Sequence, residues 1–234
     1  MPDTPLSPEQ LDELRTFNTP TISNAIEIFN IRKRHLGFLP HTIRAMFPDF
    51  KPVIGYAVTA TTRAEYPTEQ TSDLTSDYFR YVAARPGPKI AVGQDLDDPP
   101  GLGAQFGEVT ATIHKRLGCV SHITSGCPRD LDEVHALGFA MFGLNPCVSH
   151  AYVRLTGFGK PVEIAGVEVR PGDLIHADRH GACIIPHEVA GKLADACRQV
   201  EQLERPVLDI CKRDDFDLEE YLRLRQEMKA KIRE

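Results

Sequence analysis

The stretch Gly107-Glu108-Val109-Thr110-Ala111-Thr112-Ile113-His114-Lys115-Arg116-Leu117-Gly118-Cys119-Val120-Ser121-His122-Ile123-Thr124-Ser125-Gly126-Cys127-Pro128-Arg129-Asp130 decides how this chain folds. It reads as a helix opened by a glycine, a short strand, and a Gly/Pro loop that delivers an arginine and a carboxylate side by side. The N-terminus of a helix offers free backbone N–H groups and the positive end of a dipole, a ready seat for a carboxylate or phosphate. An Arg next to an Asp adds a fork-shaped cation and a hard-metal ligand. The combination points to a metal-assisted site for a small oxoacid. A plainer reading stands beside it. Asp130 is followed by Glu133, with Leu131, Val134 and Leu137 at helical spacing, so Asp130 also fits an N-cap in a capping box for a short helix ending at Gly138.

Working outward, the N-terminal third is helical and then extended. Ser7-Pro8-Glu9-Gln10 is an N-cap with proline at the first helical position, and Leu11, Leu14 and Phe17 point inward. Thr19-Pro20-Thr21 breaks that helix, and a second covers 22–29. Pro48 and Pro52 mark a connection into a β-rich run over 53–61. A helix follows over 73–84, stopped by Arg85-Pro86-Gly87-Pro88, and 89–93 reads as a buried strand. The acidic, Gly- and Pro-rich segment 94–103 is a loop near the candidate site, the kind of segment that carries function.

Beyond Gly138 the chain turns β-rich, with short strands over 148–155, 162–164, 167–169, 174–177 and 182–185. Val189, Leu193, Cys197, Val200, Leu203 and Val207 then trace one apolar face of a long helix, which Pro206 should kink. A charged last helix covers 218–232. This order suggests layered α/β/β packing around one core. A doubly wound dinucleotide fold fits poorly, because no GxGxxG follows a strand. The 234 residues suit one sizeable domain with appendages, and 41% apolar content is enough for a real core.

Composition narrows the function classes. The formal net charge is −6, there is no tryptophan, and the longest basic cluster is Arg32-Lys33-Arg34. A nucleic-acid partner is not expected, since phosphate binding needs a concentrated positive face. No apolar run has the length of a membrane span, so no membrane partner is expected. The first residues lack the basic and apolar regions of a signal peptide. Six cysteines occur without CxxC or zinc-finger spacing, which suits reduced thiols and a cytoplasmic location.

Taken in order, Gly107-Glu108, Gly118, Gly126-x-x-Arg129-Asp130, Pro161-Val162-x-x-x-Gly166-Val167-x-Val169-x-Pro171-Gly172-Asp173, Ala177-Asp178-x-x-Gly181 and Pro186 resemble the RraA-like family. The similarity runs from about residue 21 to residue 204. The resemblance implies an α/β fold, a layered α/β/β sandwich with N- and C-terminal helices. It treats 1–234 as a single domain with a core over 21–187 and helices over 188–234 at a subunit interface, in a homotrimer or hexamer. Its enzymatic branch, the 4-hydroxy-4-methyl-2-oxoglutarate aldolases, implies a Mg²⁺- or Mn²⁺-dependent lyase. Such an enzyme releases pyruvate from a small 4-hydroxy-2-oxoacid or decarboxylates oxaloacetate. The competing implication is a non-catalytic regulatory protein that modulates a ribonuclease.

Carried over by position, backbone amides of Gly107, Glu108, Val109 and Thr110 hold the pyruvyl carboxylate. Arg129 binds the same moiety and stabilises the developing enolate. Asp130 holds the divalent ion, Glu108 reaches it through water, and Glu204 reaches a neighbouring subunit's metal through water. Three positions depart from the family pattern. Ser125-Gly126 replaces an Asp-Gly pair, Asn24 stands where the early helix usually carries Asp, and Arg179-His180 replaces an acidic pair. These bear on which oxoacid is taken, because pocket residues distinguish substrates. Few carboxylates and no His cluster favour a hard, hydrated ion over zinc, and no lysine is placed for a Schiff base. His180 and Cys127 lack an orienting partner in the sequence and read as structural.

Overall fold

The computed structural model describes residues 5–67 and 74–233. Among these, α1 (Pro8–Leu14) and α2 (Thr19–Ile28) lead through β1 (Arg44–Ala45) to β2 (Val53–Arg63). Then come α3 (Thr75–Ala83), β3 (Lys89–Asp95), α4 (Glu108–Arg116), β4 (Cys119–Thr124), α5 (Leu131–Leu137) and β5 (Ala140–Gly143). The second half holds β6 (Arg154–Phe158), β7 (Val162–Ile164), β8 (Val167–Val169), β9 (Leu174–Asp178) and β10 (Gly181–Ile185), followed by α6 (His187–Ala190), α7 (Leu193–Ile210) and α8 (Leu218–Arg233). Of the helix expected over 73–84, position 73 lies outside the described residues, and α3 covers Thr75–Ala83.

One sheet organises the molecule, in the order β1-β5-β4-β3-β2-β9-β10, with β6 also on β2 and β7-β8 as a separate hairpin. Strand β2 is the hinge of this arrangement. Along one edge it runs parallel to β3. Along the other, Val53 to Tyr56 pair antiparallel with β9 and Ala60 to Arg63 with β6. An eleven-residue strand that serves two antiparallel partners in succession curls the sheet into a near-barrel flanked by helices. Strands β3, β4 and β5 are parallel neighbours, joined by crossovers through α4 and α5, as parallel pairing requires.

Period-two alternation explains the core. Ala57, Ile90, Val92, Ile123 and Phe142 face one cluster with Val162, Ile164 and Val169 of the hairpin. Val58, Ala60, Ala91 and Met141 face the opposite side, against Tyr78, Phe106, Ala111 and Val134 on and around α3, α4 and α5. A third cluster joins Leu11, Leu14, Ile22 and Ile26 to Leu193, Cys197 and Val200, placing α1, α2 and α7 over β9 and β10. Strands buried on both faces read as near-continuous apolar runs, as β2 and β3 do.

Local chemistry sets the helix ends. Ser7 Oγ accepts from Gln10 N–H, and the Gln10 side chain accepts from Ser7 N–H, a complete capping box. Thr19 and Pro20 begin α2 rather than break the chain, because Asn18 Oδ1 accepts from Thr21 N–H and caps that helix. The strand expected over 148–155 forms only from Arg154. Ala151 has φ +44°, and Ser149 Oγ accepts from Ala151 N–H, which turns the chain at that point. The long helix expected from Val189 is split by a turn at Gly191-Lys192 into α6 and α7. Helix α7 then continues through Pro206 to Ile210.

Candidate functional site

The site sits where α4 and α5 begin. Gly107 is the N-cap of α4 and makes no side-chain cap. That function is supplied from across the fold: Asp130 Oδ2 accepts from Glu108 N–H at 2.9 Å. Asp130 has φ +55° and ψ +49°, the left-handed region that Asp and Asn tolerate better than other residues bearing a side chain. It occupies the N-cap position of α5, yet its side chain makes no cap there. The capping-box reading of Asp130 is thereby corrected. The left-handed backbone swings the carboxylate away from its own helix and onto the neighbouring one.

Gly107 is what makes this approach possible. A Cβ at position 107 would lie 2.1 Å from Asp130 Oδ2 and 3.1 Å from Arg129 Cγ. Arg129 is anchored by its backbone, whose N–H donates to Phe106 O at 3.0 Å. Its Nε lies 3.5 Å from Asp130 Oδ2, and both side chains keep about a third of their surface exposed, 34% and 33%. The pair is therefore held at one end and open to solvent at the other, as a binding residue must be.

Glu108 is exposed, and Val109 is 83% exposed. With the Glu108 amide given to Asp130, the amides of Val109 and Thr110 remain as first-turn donors without an intrahelical acceptor. Thr110 Oγ1 donates to Gln105 O at 3.1 Å. Lys115 and Arg116 stand in the last turn of α4, opposite in sign to Glu108 at the first, so the helix dipole is complemented at both ends.

The structure thus brings Gly107, Glu108, Arg129 and Asp130 together, with Val109 and Thr110 on the adjoining turn. Glu204 is elsewhere in the chain. It lies half-buried on α7, which packs mainly on α2, α8, α1 and α6, whereas α4 and α5 pack on each other. Among the described residues no group of three or more His, Cys, Asp or Glu side chains converges as a metal cage. One Asp beside one exposed Glu suits an oxygen-preferring ion that keeps most of its waters.

Asp95 organises the loops behind the site. It is 9% exposed, and its carboxylate accepts from Asp97 N–H at 3.0 Å and Gly101 N–H at 2.7 Å. Its own N–H donates to Ser125 Oγ at 2.9 Å, and a Cβ on Gly126 would come within 2.8 Å of its Oδ2. Burial raises its pKa above the usual carboxylate value. The signal for this role was the run Asp95-Leu96-Asp97, in which an Asp accepts from the N–H two residues on, an Asx-turn. His180, by contrast, is tied to Asp178 through both its N–H and Nδ1, at 2.8 and 3.1 Å.

Mixed α/β architecture around a near-barrel sheet, with a Gly-opened helix facing an Arg-Asp loop, defines the class of protein. A family model described as RraA-like, Aldolase/RraA, matches residues 19–184, and the chain belongs to the RraA-like family. An uncharacterized protein of Methanocaldococcus jannaschii is 28% identical over 120 residues, 51% of this chain and 58% of that protein. A protein of Halalkalibacterium halodurans named "Putative 4-hydroxy-4-methyl-2-oxoglutarate aldolase" is 30% identical over 106 residues, 44% of this chain and 48% of that one. The chain spans about half the length of these curated relatives. Among solved structures, an uncharacterized protein from Pseudomonas syringae pv. tomato superposes with a TM-score of 0.76 at 21% identity, covering 97% of each chain. Streptomyces coelicolor RraAS2, described as an unusual member of the RNase ES inhibitor RraA family, gives 0.69 at 23% identity, covering 87% of this chain and 98% of that one. These two show the fold. Among the described residues no helix is long and apolar enough to cross a membrane.

Proposed function

We propose that the chain is a divalent-metal-dependent lyase that cleaves a carbon–carbon bond of a small 2-oxoacid. The reaction is retro-aldol release of pyruvate from a 4-hydroxy-2-oxoacid, decarboxylation of oxaloacetate, or both. The observation that carries this reading is the Asp130 carboxylate, turned by a left-handed backbone onto the start of α4 beside the Arg129 guanidinium. A residue needed only to cap α5 would not adopt that geometry. Membership of a family whose model is described as Aldolase/RraA supports the same reaction class.

In this reading Asp130 holds Mg²⁺ or Mn²⁺, Glu108 reaches it through water, and Glu204 reaches the ion of a neighbouring subunit in a homotrimer or hexamer. The ion supplies a Lewis acid for the 2-oxo oxygen. The chain's own residues do the rest. The amides of Val109 and Thr110, at the positive end of α4, bind the substrate carboxylate. Arg129 sets a fixed cation where negative charge accumulates as the bond breaks, so no solvent must reorganise at that moment. Phe106 O holds the Arg129 backbone and limits the drift of that cation.

The test is pyruvate release from oxaloacetate and from a panel of 4-hydroxy-2-oxoacids, with Mg²⁺, with Mn²⁺ and with EDTA. Turnover that EDTA abolishes and metal restores supports the lyase. No metal-dependent turnover on any of them would favour a non-catalytic ribonuclease-modulating protein instead.

A further inference from the structure

The loop that carries Arg129 and Asp130 also carries Cys127, and a second cysteine, Cys147, lies on the segment hydrogen-bonded to that loop. Leu144 N–H donates to Gly126 O at 2.9 Å, and Cys147 N–H donates to Pro128 O at 3.1 Å. A Cβ on Gly143 would lie 2.9 Å from Gly126 O and 3.4 Å from Pro128 Cδ. Segments 126–128 and 143–147 therefore run side by side, with Cys127 between two carbonyls that are both fastened to the other segment. Cys147 is thus hydrogen-bonded to the residue that follows Cys127, and a disulfide bridges Cα atoms about 4.4–6.8 Å apart. The Cys147 thiol is near enough to act on that of Cys127, and it donates to Ser149 O at 3.3 Å. Both sulfurs sit on partly exposed residues, whereas Cys119, Cys183 and Cys197 are buried.

We propose that Cys127 and Cys147 form a reversible thiol–disulfide pair that fastens the Arg129–Asp130 loop to the segment following β5. The co-reactant is a hydroperoxide. Burial first, and then the neighbouring Cys147, push the Cys127 thiol up to about 11, which makes Cys127 a slow first nucleophile toward peroxide at neutral pH. Cys147 attacks one peroxide oxygen, the O–O bond breaks, and Cys147 becomes a sulfenic acid as one water leaves. The Cys127 sulfur then displaces the hydroxyl, which departs as a second water with the Cys127 proton. Two thiols and one hydrogen peroxide give one disulfide and two waters, with two electrons passing from sulfur to oxygen.

The cross-link fixes the backbone one residue before Pro128 and two before Arg129, so oxidation should alter the mobility of the loop whether or not the lyase reading holds. The full chain is treated with hydrogen peroxide, the remaining thiols are alkylated, and the chain is digested with trypsin without reduction. The expected product joins the peptide holding Cys127 to the peptide holding Cys147. Fragmentation should place the bond on Cys127 rather than on Cys119, which shares that peptide. Dithiothreitol should reverse the bond, and Cys127→Ser or Cys147→Ser should abolish it. Amide hydrogen exchange over 126–131 should slow several-fold on oxidation in the native chain and stay unchanged in Cys147→Ser. Full alkylation of both cysteines after peroxide treatment, or bonds only through other cysteines, would overturn the pair. A confirmed bond with unchanged exchange over 126–131 would overturn the fastening of the loop.

Discussion

Three residues decide whether the site is what it resembles. Arg129→Ala should remove on the order of 3–4 kcal/mol of transition-state stabilisation, a fall of two to three orders of magnitude in kcat/KM on whichever oxoacid is turned over. Arg129→Lys should recover little, because a point charge does not reproduce a planar fork. Near-normal kcat/KM in Arg129→Ala would remove it from the mechanism. Gly107→Ala is the sharper geometric probe. Its new Cβ would lie 2.1 Å from Asp130 Oδ2, so the carboxylate must leave the start of α4. Activity should collapse, and the loss of a helix cap should lower stability by about 1 kcal/mol. Unchanged activity in Gly107→Ala would show that this placement of Asp130 is not needed. The residue types at the site were legible in the sequence, since Arg129-Asp130 and Gly107-Glu108 stand out by spacing and resemblance. The use of Asp130 was not. A capping box is a statement about neighbours in sequence, and only the backbone at φ +55° shows that the carboxylate serves another helix.

At the scale of elements, α4 is held by a buried histidine that ties it to α3. His114 Nδ1 can only donate to Thr110 O, at 2.7 Å, so Nε2 accepts from Tyr78 OH at 2.9 Å. Burial holds His114 down at about 4, and His176, buried on β9 against Thr19 Oγ1, is likewise held at about 4 by burial. Both are neutral in the folded chain, and the ordinary value near 6.5 returns on unfolding. The unfolded chain therefore binds more protons, so this stability is complete above about pH 6.5 and is lost as pH falls toward 4. Each group contributes at most about 3 kcal/mol to that loss. The Tm should fall steeply between about pH 6.5 and pH 4, and a Tm flat across that window would contradict the assignment. Elements with complete local signals were readable, such as the box at Ser7, the αL glycine Gly138 that closes α5, and the apolar runs of β2 and β3. The strand expected at Val148 failed because the turn at Ala151 has no distinctive residue type. The α6–α7 break escaped because Gly191-Lys192 does not interrupt the apolar period.

At the scale of the molecule, α7 and α8 lie beyond the family match that ends at residue 184. Leu208, Phe216, Leu218 and Leu222 are exposed along this C-terminal region. Glu204 is on α7 and remote in packing from Asp130 within one chain. If Glu204 belongs to the mechanism, it acts on a neighbour. Mixing Asp130→Ala with Glu204→Ala under conditions of verified subunit exchange should regenerate activity at interfaces that receive both intact residues. No recovery would remove Glu204 from the site. The near-barrel closure of the sheet was not readable from the strand order, because it depends on β2 changing its antiparallel partner midway, a property of register rather than composition.

The central claim is that Asp130 carries the divalent ion that makes the chain a lyase. It is tested most directly by titrating Mg²⁺ against pyruvate release in the native chain and in Asp130→Asn. Asn tolerates the left-handed backbone and can still accept from Glu108 N–H, so the fold should survive with little change in Tm. It lacks the charge an ion needs. Asp130→Asn should lose the Mg²⁺-dependent rate, or require far more Mg²⁺ to reach it, at an unchanged Tm. Superimposable Mg²⁺ activation curves for the two proteins would contradict it.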